Sequence, residues 1–295
     1  MLVSRTYLSR AKKIYRRAMA PFGVHKVRRM LADGLPHTFA RPLEFLFEKR
    51  LTPIEEQAAS NVERIRGAVA RLSSTFEVRN RDGEVCELTA ANIAGHVSVD
   101  REWGTFLYLC AQSFKARTIL ELGSCAGISG CYLASSKDCE TFITVEASPD
   151  LASLARANIL QVSNAATILN TSFDDALDGL LPTLSQGLDL IYLDGHHKYE
   201  ATLHYFRRLE PHLNDGAFLV FDDVHLSAGM WQAWQVLKAH RGFAYTIDAG
   251  RFGICLRQAS STPVYYDLRR YLGWIRNVST FTQSVVPRCA NITTN

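Results

Sequence analysis

The chain has 295 residues, of which 47% are hydrophobic and 21% charged, a composition that excludes an intrinsically disordered protein. The sequence has no run of about 18 uncharged apolar residues, which excludes a membrane-spanning helix. Its seven cysteines are scattered without a C-x-x-C pair, which argues against a disulfide scaffold or a zinc site.

The net charge of +4 conceals a basic segment, because residues 1–32 carry +9 and the remainder −5. Apolar residues from Val3 to Met19 recur at spacings of three and four, so residues 1–40 are predicted to begin with an amphipathic helix. Such a helix could lie on an anionic membrane, contact nucleic acid or serve as an organelle-targeting segment. It could equally pack its apolar face on the rest of the chain. The cysteine pattern fits a reducing compartment and a cytoplasmic location, with peripheral membrane contact left open.

Residues 41–99 are predicted to form a helical cap with a short hairpin. A helical pattern covers Arg41–Ser73, within which Thr52 supplies an N-cap and Glu55 a capping-box acid. Apolar and polar residues alternate over Thr75–Leu88, which predicts the hairpin.

From Thr118, short apolar runs alternate with helical stretches, a pattern typical of β-α units in a parallel sheet. The seven predicted strands are residues 118–122, 142–146, 166–170, 188–193, 217–221, 244–248 and 252–256. The last two are too close for a crossover helix and are expected to pair antiparallel. The predicted fold is therefore α/β: a Rossmann-like, seven-stranded, mostly parallel sheet with a terminal antiparallel hairpin over residues 100–258. A C-terminal helix containing Tyr265 and Trp274, followed by a polar tail, is predicted for residues 259–295.

The first strand of this sheet runs directly into a glycine-rich loop, E-L-G-S-C-A-G-I-S-G from Glu121 to Gly130. Glycines let the backbone turn tightly and approach a ligand, and the following helix N-terminus favours an anionic group. The spacing matches neither a G-x-G-x-x-G nor a P-loop motif. Glu146 ends the second strand, where a carboxylate can accept hydrogen bonds from ribose hydroxyls. Together the loop and the acid indicate a nucleoside-containing ligand.

The segment T-I-L-E-L-G-S-C-A-G-I-S-G-C-Y-L-A, Thr118 to Ala134, closely resembles the first motif of class I S-adenosylmethionine-dependent methyltransferases. Its L-E-L-G-x-x-x-G-x-S form is that of catechol-type O-methyltransferases, and the resemblance covers about residues 100–257. It implies an enzyme with S-adenosylmethionine as cofactor. The implied cofactor contacts are Gly123, Ser124, Gly127 and Ser129 at the methionine end, Glu146 at the ribose, Ser172 and Phe173 at the adenine, and also Glu121, Ala147 and Asp194.

Two further strands end in carboxylates at the same predicted edge, the fourth in Asp194 and the fifth in Asp222 and Asp223. Carboxylates about 4 Å apart repel by roughly 4 kcal/mol at an effective dielectric near 20. Magnesium would relieve this repulsion and would lower the pKa of a bound substrate hydroxyl. The D-G-x-H-x-Y and D-D-x-H patterns are similar to the catechol-type metal site and to a branch that includes macrolide-sugar O-methyltransferases. The sequence therefore predicts a Mg²⁺ site formed by these three carboxylates.

Methyl transfer to a hydroxyl also requires a general base. His197 stands where catechol-type enzymes carry a lysine base, and His225 is the histidine of the D-D-x-H pattern. Either can serve, and Asp194 completes the predicted catalytic set.

The predicted function is divalent-metal-assisted O-methylation of a small-molecule hydroxyl in a natural product, sugar or phenol. Alternatives are a methyltransferase that uses its basic segment on a membrane or on nucleic acid, and a non-catalytic nucleotide-binding module at a membrane surface. Nucleic acid is disfavoured because the N-P-P-Y and D-P-P-Y motifs are missing and the rest of the chain is net negative. Homo-oligomerisation is left open.

Overall fold

In the computed structural model the described residues are 2–79, 85–258 and 262–274, with side chains from residue 11 on, Arg79 excepted. The helices are α1 (Leu2–Ala32), α2 (Ala40–Glu48), α3 (Pro53–Ala70), α4 (Ala90–Asn92), α5 (Arg101–Ser113), α6 (Ile128–Ala134), α7 (Pro149–Ile159), α8 (Phe173–Leu180), α9 (Tyr199–Leu209) and α10 (Ala228–Lys238). The strands are β1 (Thr75–Arg79), β2 (Val85–Thr89), β3 (Thr118–Leu122), β4 (Thr141–Val145), β5 (Ala166–Leu169), β6 (Leu188–Leu193), β7 (Leu213–Phe221), β8 (Phe243–Asp248), β9 (Gly253–Arg257) and β10 (Val264–Asp267).

Strands β3 to β10 form one sheet in the order β10-β8-β9-β7-β6-β3-β4-β5. Strand β9 runs antiparallel to both of its neighbours, β7 and β8, and the other adjacent strands are parallel. The predicted α/β class, the mostly parallel sheet and the terminal antiparallel hairpin are therefore confirmed. Strand β10, an eighth strand at the edge, was not predicted.

Helices cover both faces of the sheet because its central strands are apolar on both sides. Along β6, Leu190 and Tyr192 face one core, whereas Ile191 and Leu193 face the other. Helices α1, α2, α3, α5, α6 and α7 contribute to the first core, and α8, α9 and α10 to the second. In this arrangement the carboxyl ends of the parallel strands lie along one edge of the sheet, the position where α/β proteins bind ligands.

The predicted helical stretch over Arg41–Ser73 consists of two helices, because α2 ends at Glu48 and its C-cap residue, Lys49, has a left-handed φ of 57°. The predicted capping box of α3 is confirmed. Glu55 N–H donates to Thr52 Oγ1 at 3.3 Å, and Thr52 N–H donates to Glu55 Oε2 at 2.7 Å. The predicted hairpin is confirmed as the antiparallel pair β1–β2, and the turn over residues 80–84 lies outside the described residues.

The prediction of a C-terminal helix is wrong for residues 264–267, which form strand β10 parallel to β8. Valine and tyrosine favour strands, and the open edge of β8 offers backbone groups that need partners. Tyr266 pairs with Ile247 in register, and Leu268 and Leu272 beyond the strand are buried in the core. Residues 275–295 lie outside the described residues.

Among its described side chains, helix α1 is most buried in its last turns, beyond the apolar face that the spacing predicts over Val3 to Met19. Ile14 is 69% exposed, whereas Val27 and Met30 are fully buried. The helix lies so close to α2 that a Cβ atom on Gly23 would be 2.3 Å from the Phe47 ring. Within the described residues, no helix is both long and apolar enough to cross a membrane.

Candidate active site

The loop after β3 has a tightly constrained backbone. Gly123 has a φ of 106°, in the region that favours glycine, and a Cβ atom there would lie 2.0 Å from the carbonyl oxygen of Asp194. Gly127, at the start of α6, has a φ of 76°, and its Cβ would lie 2.8 Å from Cα of Ala155. Both glycines are therefore required by the turn and by the close approach of neighbouring backbone.

Buried polar side chains connect Ser124 to Glu121 behind this loop. Ser124 Oγ lies 2.5 Å from Thr144 Oγ1, and Thr144 donates to Glu121 Oε2 at 2.6 Å. Burial raises the pKa of Glu121 to about 7, although hydrogen bonds from Ser129 and Thr144 oppose this effect. Glu121 Oε1 has no hydrogen-bond partner among the described residues. The site thus contains an unpartnered buried acceptor beside the glycine-rich loop.

Glu146 follows β4, and both of its carboxylate oxygens accept backbone hydrogen bonds. Cys125 N–H donates to Oε2 and Ser148 N–H donates to Oε1, each at 2.9 Å. Burial raises the pKa of Glu146, and these amide hydrogen bonds partly offset it. Asn170, just after β5, donates to the carbonyls of Glu146 and Ala147 at 2.9 and 3.1 Å. These bonds fix the carboxylate beside the glycine-rich loop.

Ser172 and Phe173 lie where α8 begins. The Ser172 hydroxyl caps this helix, since it accepts from Asp175 N–H at 3.1 Å and donates to Asp175 Oδ2 at 2.7 Å. The Phe173 ring packs edge-on against His196 with 5.2 Å between the ring centroids. A Cβ atom on Gly195 would be 2.6 Å from this ring. Phe173 therefore packs directly against the loop after β6, while the Ser172 hydroxyl is engaged within its own helix.

The structure brings Asp194, Asp222 and Asp223 together at the ends of β6 and β7. Because β7 ends at Phe221, both aspartates that follow it lie beyond the strand, and Asp223 has a left-handed φ of 51°. The Tyr192 hydroxyl lies 3.0 Å from Asp194 Oδ2 and 3.2 Å from Asp222 Oδ2. It therefore bridges the two strand ends.

A guanidinium group faces these carboxylates. Arg251 Nε and Nη2 each donate to one oxygen of Asp222 at 2.8 Å, and Nε lies 4.0 Å from Asp223 Oδ1. The Asp222 side chain is 1% exposed and that of Arg251 18%. No group of three or more His, Cys, Asp or Glu side chains among the described residues is arranged to hold a metal ion.

His197 pairs with Asp194, its Nε2 lying 3.3 Å from Asp194 Oδ1. Burial lowers the pKa of His197, but the hydrogen bond and charge of Asp194 outweigh burial and raise the pKa to about 9. Burial and the charge of Asp222 raise the pKa of Asp194, and they raise that of Asp223 to about 7. Burial also acts to raise the pKa of Asp222, but Arg251 outweighs it and holds this pKa below its usual value. Of the three carboxylates, Asp222 is therefore the one whose ionised form is most favoured, because it is bonded to the arginine.

His225 lies in a different cluster, at the end of β8. Its Nε2 is 3.0 and 2.9 Å from the two oxygens of Asp248, which is fully buried. Asp248 also accepts from Trp234 Nε1 at 3.1 Å, and the His225 ring packs against Trp231 with centroids 4.9 Å apart. His225 is thus held by Asp248, whereas His197 is held by Asp194.

Four residues of this edge were not predicted: Tyr192, Arg251, Asp248 and Asn170. Asp248 ends a predicted strand, and Arg251 lies in the turn of the predicted terminal hairpin, so the sequence positions of both could have marked them as candidate site residues. Tyr192 gave no such signal because it lies within an apolar strand.

Comparisons with known proteins identify the domain. Residues 120–224 match a family described as a methyltransferase domain. A catechol O-methyltransferase from Mycobacterium tuberculosis is 32% identical over 136 residues, which are 45% of this chain and 60% of that protein. An uncharacterized protein of Acanthamoeba polyphaga mimivirus is 32% identical over 90 residues, 30% of this chain and 39% of that protein. The chain thus spans less than two thirds of both relatives.

The fold has a counterpart among solved structures. An O-methyltransferase from Bacillus cereus in complex with SAH aligns with 68% of this chain and 91% of its own, at a TM-score of 0.52 and 21% identity. This likeness concerns the fold, and the sequence matches concern the family. Residues 120–224 are therefore similar to a methyltransferase domain, and the sequence similarity of the chain extends to a catechol O-methyltransferase.

Proposed function

We propose that the whole chain is an S-adenosylmethionine-dependent O-methyltransferase that acts on a small-molecule hydroxyl. The observation that carries the proposal is a fixed carboxylate beside a glycine-rich turn at one sheet edge. Glu146 accepts amide hydrogen bonds from Cys125 and Ser148, yet each carboxylate oxygen keeps a second lone pair for a ribose hydroxyl. At Gly123 a side chain would collide with the Asp194 carbonyl. The residues present therefore fit a nucleoside cofactor.

The remaining cofactor contacts follow the order of the strands. In this proposal the methionine end lies over Gly123 and Gly127, and the ribose lies at Glu146. The unpartnered Oε1 of Glu121 offers a further acceptor near the methionine end. The other proposed contacts are Ser124, Ser129, Ala147, Ser172, Phe173 and Asp194.

The cofactor supplies a methyl group on a sulfonium, and the acceptor hydroxyl must release its proton. We assign proton acceptance to His197 in its neutral form; because its pKa is about 9, the rate of methyl transfer is expected to rise with pH up to that value. This residue and Asp194 follow β6, which is adjacent to the cofactor strand β3, and the Asp194 carboxylate orients the imidazole. His225 is less suited because it pairs with Asp248 at the end of β8, which lies farther across the sheet from β3 than β6 does.

Magnesium assistance does not fit the donor set. Both oxygens of Asp222 accept from the Arg251 guanidinium, so a cation already occupies the position that the prediction gives to Mg²⁺. The proposed reaction therefore contains no step through a metal.

The contacts of α1 support a small-molecule acceptor of the methyl group, because cations of this helix bind groups of the protein itself. Arg16 forms an ion pair with Glu102, and the Lys26 ammonium lies 5.4 Å from the centroid of the Tyr266 ring. These cations of the basic segment are engaged within the chain, so membrane or nucleic-acid contact is not part of the proposal. The name O-methyltransferase on both the Mycobacterium and Bacillus proteins supports an oxygen acceptor, and a natural product, sugar or phenol are the proposed classes. The cytoplasmic location stays a prediction, and the oligomeric state is not part of the proposal.

Calorimetric titration with S-adenosylhomocysteine tests the proposal. The wild-type chain is expected to bind, and Glu146→Ala is expected to bind about 10- to 100-fold more weakly, since a charged hydrogen-bond acceptor contributes about 1.5–3 kcal/mol. Glu146→Gln keeps the shape and removes the charge. The control is Glu140→Ala, an exposed residue paired with Arg117. Unchanged affinity in a folded Glu146 variant would remove the ribose assignment, and no heat with wild type would remove the cofactor.

A further inference from the structure

The cation that faces the paired carboxylates of the active site belongs to the protein itself. The two bonds from Arg251 to Asp222 are equal at 2.8 Å and use both carboxylate oxygens. This two-pronged geometry is the strong form of an arginine–carboxylate pair. We propose that the Arg251 guanidinium permanently replaces a divalent cation at this site, so that the enzyme binds no metal there. This inference rests on the proposed function and deepens it.

Two of the three carboxylates of the cluster already have a partner within the protein, without a metal. Asp222, the most buried of the three carboxylates, is paired with Arg251, and Asp194 is paired with His197 at 3.3 Å. Tyr192 supplies a hydroxyl between the two. A divalent cation would have to enter beside a guanidinium that is only 18% exposed, and the repulsion between them is weakly screened there.

The backbone holds Arg251 in this place. Ala249 N–H donates to the Phe252 carbonyl at 3.0 Å, which leaves Gly250 and Arg251 as a two-residue hairpin loop. Gly250 takes the φ of 90° that such a loop requires at its first position. Val224 N–H also donates to the Arg251 carbonyl at 3.2 Å and ties the loop to the segment after β7.

The hairpin tip is also covered. A Cβ atom on Gly250 would lie 2.3 Å from Cγ of the Trp274 indole, so this ring lies directly on the turn. Because the turn is fixed by hydrogen bonds and covered by an aromatic ring, the guanidinium is a built part of the site. Arg251 is thus a positioning residue that acts through Asp222. The proton of the substrate hydroxyl is accepted by a side chain of the protein.

The test uses Mn²⁺ as the probe, with the full chain saturated with S-adenosylhomocysteine, and measures bound Mn²⁺ by electron paramagnetic resonance. The wild-type chain is expected to bind none at the site. Arg251→Ala is expected to gain one Mn²⁺, with an affinity at least about 100-fold above that of the wild type, because Asp222 then lacks its cation beside Asp194 and Asp223. Arg251→Lys keeps the charge and is expected to stay metal-free. The control, Arg117→Ala, removes an exposed arginine that pairs with Glu140.

Adding Asp222→Asn to Arg251→Ala should abolish the new Mn²⁺ signal and so locate it. Wild-type binding of Mn²⁺ that Asp222→Asn removes would overturn the inference, and this arm holds even if Arg251→Ala fails to fold. A folded Arg251→Ala that gains no Mn²⁺ would also overturn it. Failure of the wild type to bind S-adenosylhomocysteine would instead contradict the proposed function. Failure of the inference about Arg251 and failure of the proposed function are therefore distinguishable.

Discussion

Glu121 shows how one residue can cost stability at the site. When the pKa of an acid is higher in the folded than in the unfolded protein, the free energy of unfolding decreases as the pH rises above the unfolded pKa, here near 4.5. The decrease is complete above the folded pKa of about 7. Glu121→Gln cannot ionise. The free energy of unfolding of the variant minus that of the wild type should therefore increase by up to about 3 kcal/mol between pH 4.5 and pH 8.

Urea denaturation at the two pH values measures this difference. Glu140→Gln is a matched control, because the hydrogen bond from Arg117 lowers the pKa of Glu140 and the same growth is not expected there. A constant difference between pH 4.5 and pH 8 for Glu121→Gln would mean that the folded protein holds this carboxyl ionised.

Residues at strand ends were the predictable part of the site. Asp194, Glu146 and Asp222 each follow an apolar run, and parallel strands necessarily bring such positions to one edge. Arg251 could not be assigned in the same way. Its partner is determined by the register of β9 on β7, in which Gly253 pairs with Phe221, and that register depends on packing across the whole sheet.

Among the elements, helix α3 has a start that is fixed by the sequence itself. Both bonds of its capping box are present, and Pro53 occupies the first turn. Thr52→Ala removes the side-chain acceptor and should lower the free energy of unfolding by about 1 kcal/mol. Thr52→Ser keeps the hydroxyl and should lose much less. Equal losses in both variants, measured by urea denaturation, would show that the methyl group and not the cap matters.

The tail shows the opposite case, where an element depends on its surroundings. Tyr265, Tyr266, Leu268 and Leu272 have helical spacing, yet the first two lie in strand β10. The open edge of β8 supplies backbone partners that a local pattern cannot reveal. Elements whose stability is local, such as α3, were therefore predicted well, and an edge strand was not.

At the scale of the whole molecule, the basic segment packs against the rest of the chain and shares its hydrophobic core. Its last turns supply Val24, Val27 and Met30 to the core that contains one face of the sheet. Nearer the start of α1, Arg16 pairs with Glu102, which also pairs with Lys49 after α2, and the Lys12 ammonium lies 4.7 Å from the Trp274 ring centroid. That ring covers the hairpin tip carrying Arg251, so contacts run from α1 to the active-site edge.

This continuity predicts that α1 and the sheet unfold together. Met30→Ala removes a fully buried side chain and should lower the free energy of unfolding by about 2–5 kcal/mol, as large-to-small core substitutions do. Ile14→Ala, on the same helix but 69% exposed, should change it by less than about 0.5 kcal/mol. Urea denaturation followed by tryptophan fluorescence and by circular dichroism measures both variants. Coincident transitions are expected, whereas an early helical transition that leaves the fluorescence unchanged would make the basic segment an independent unit.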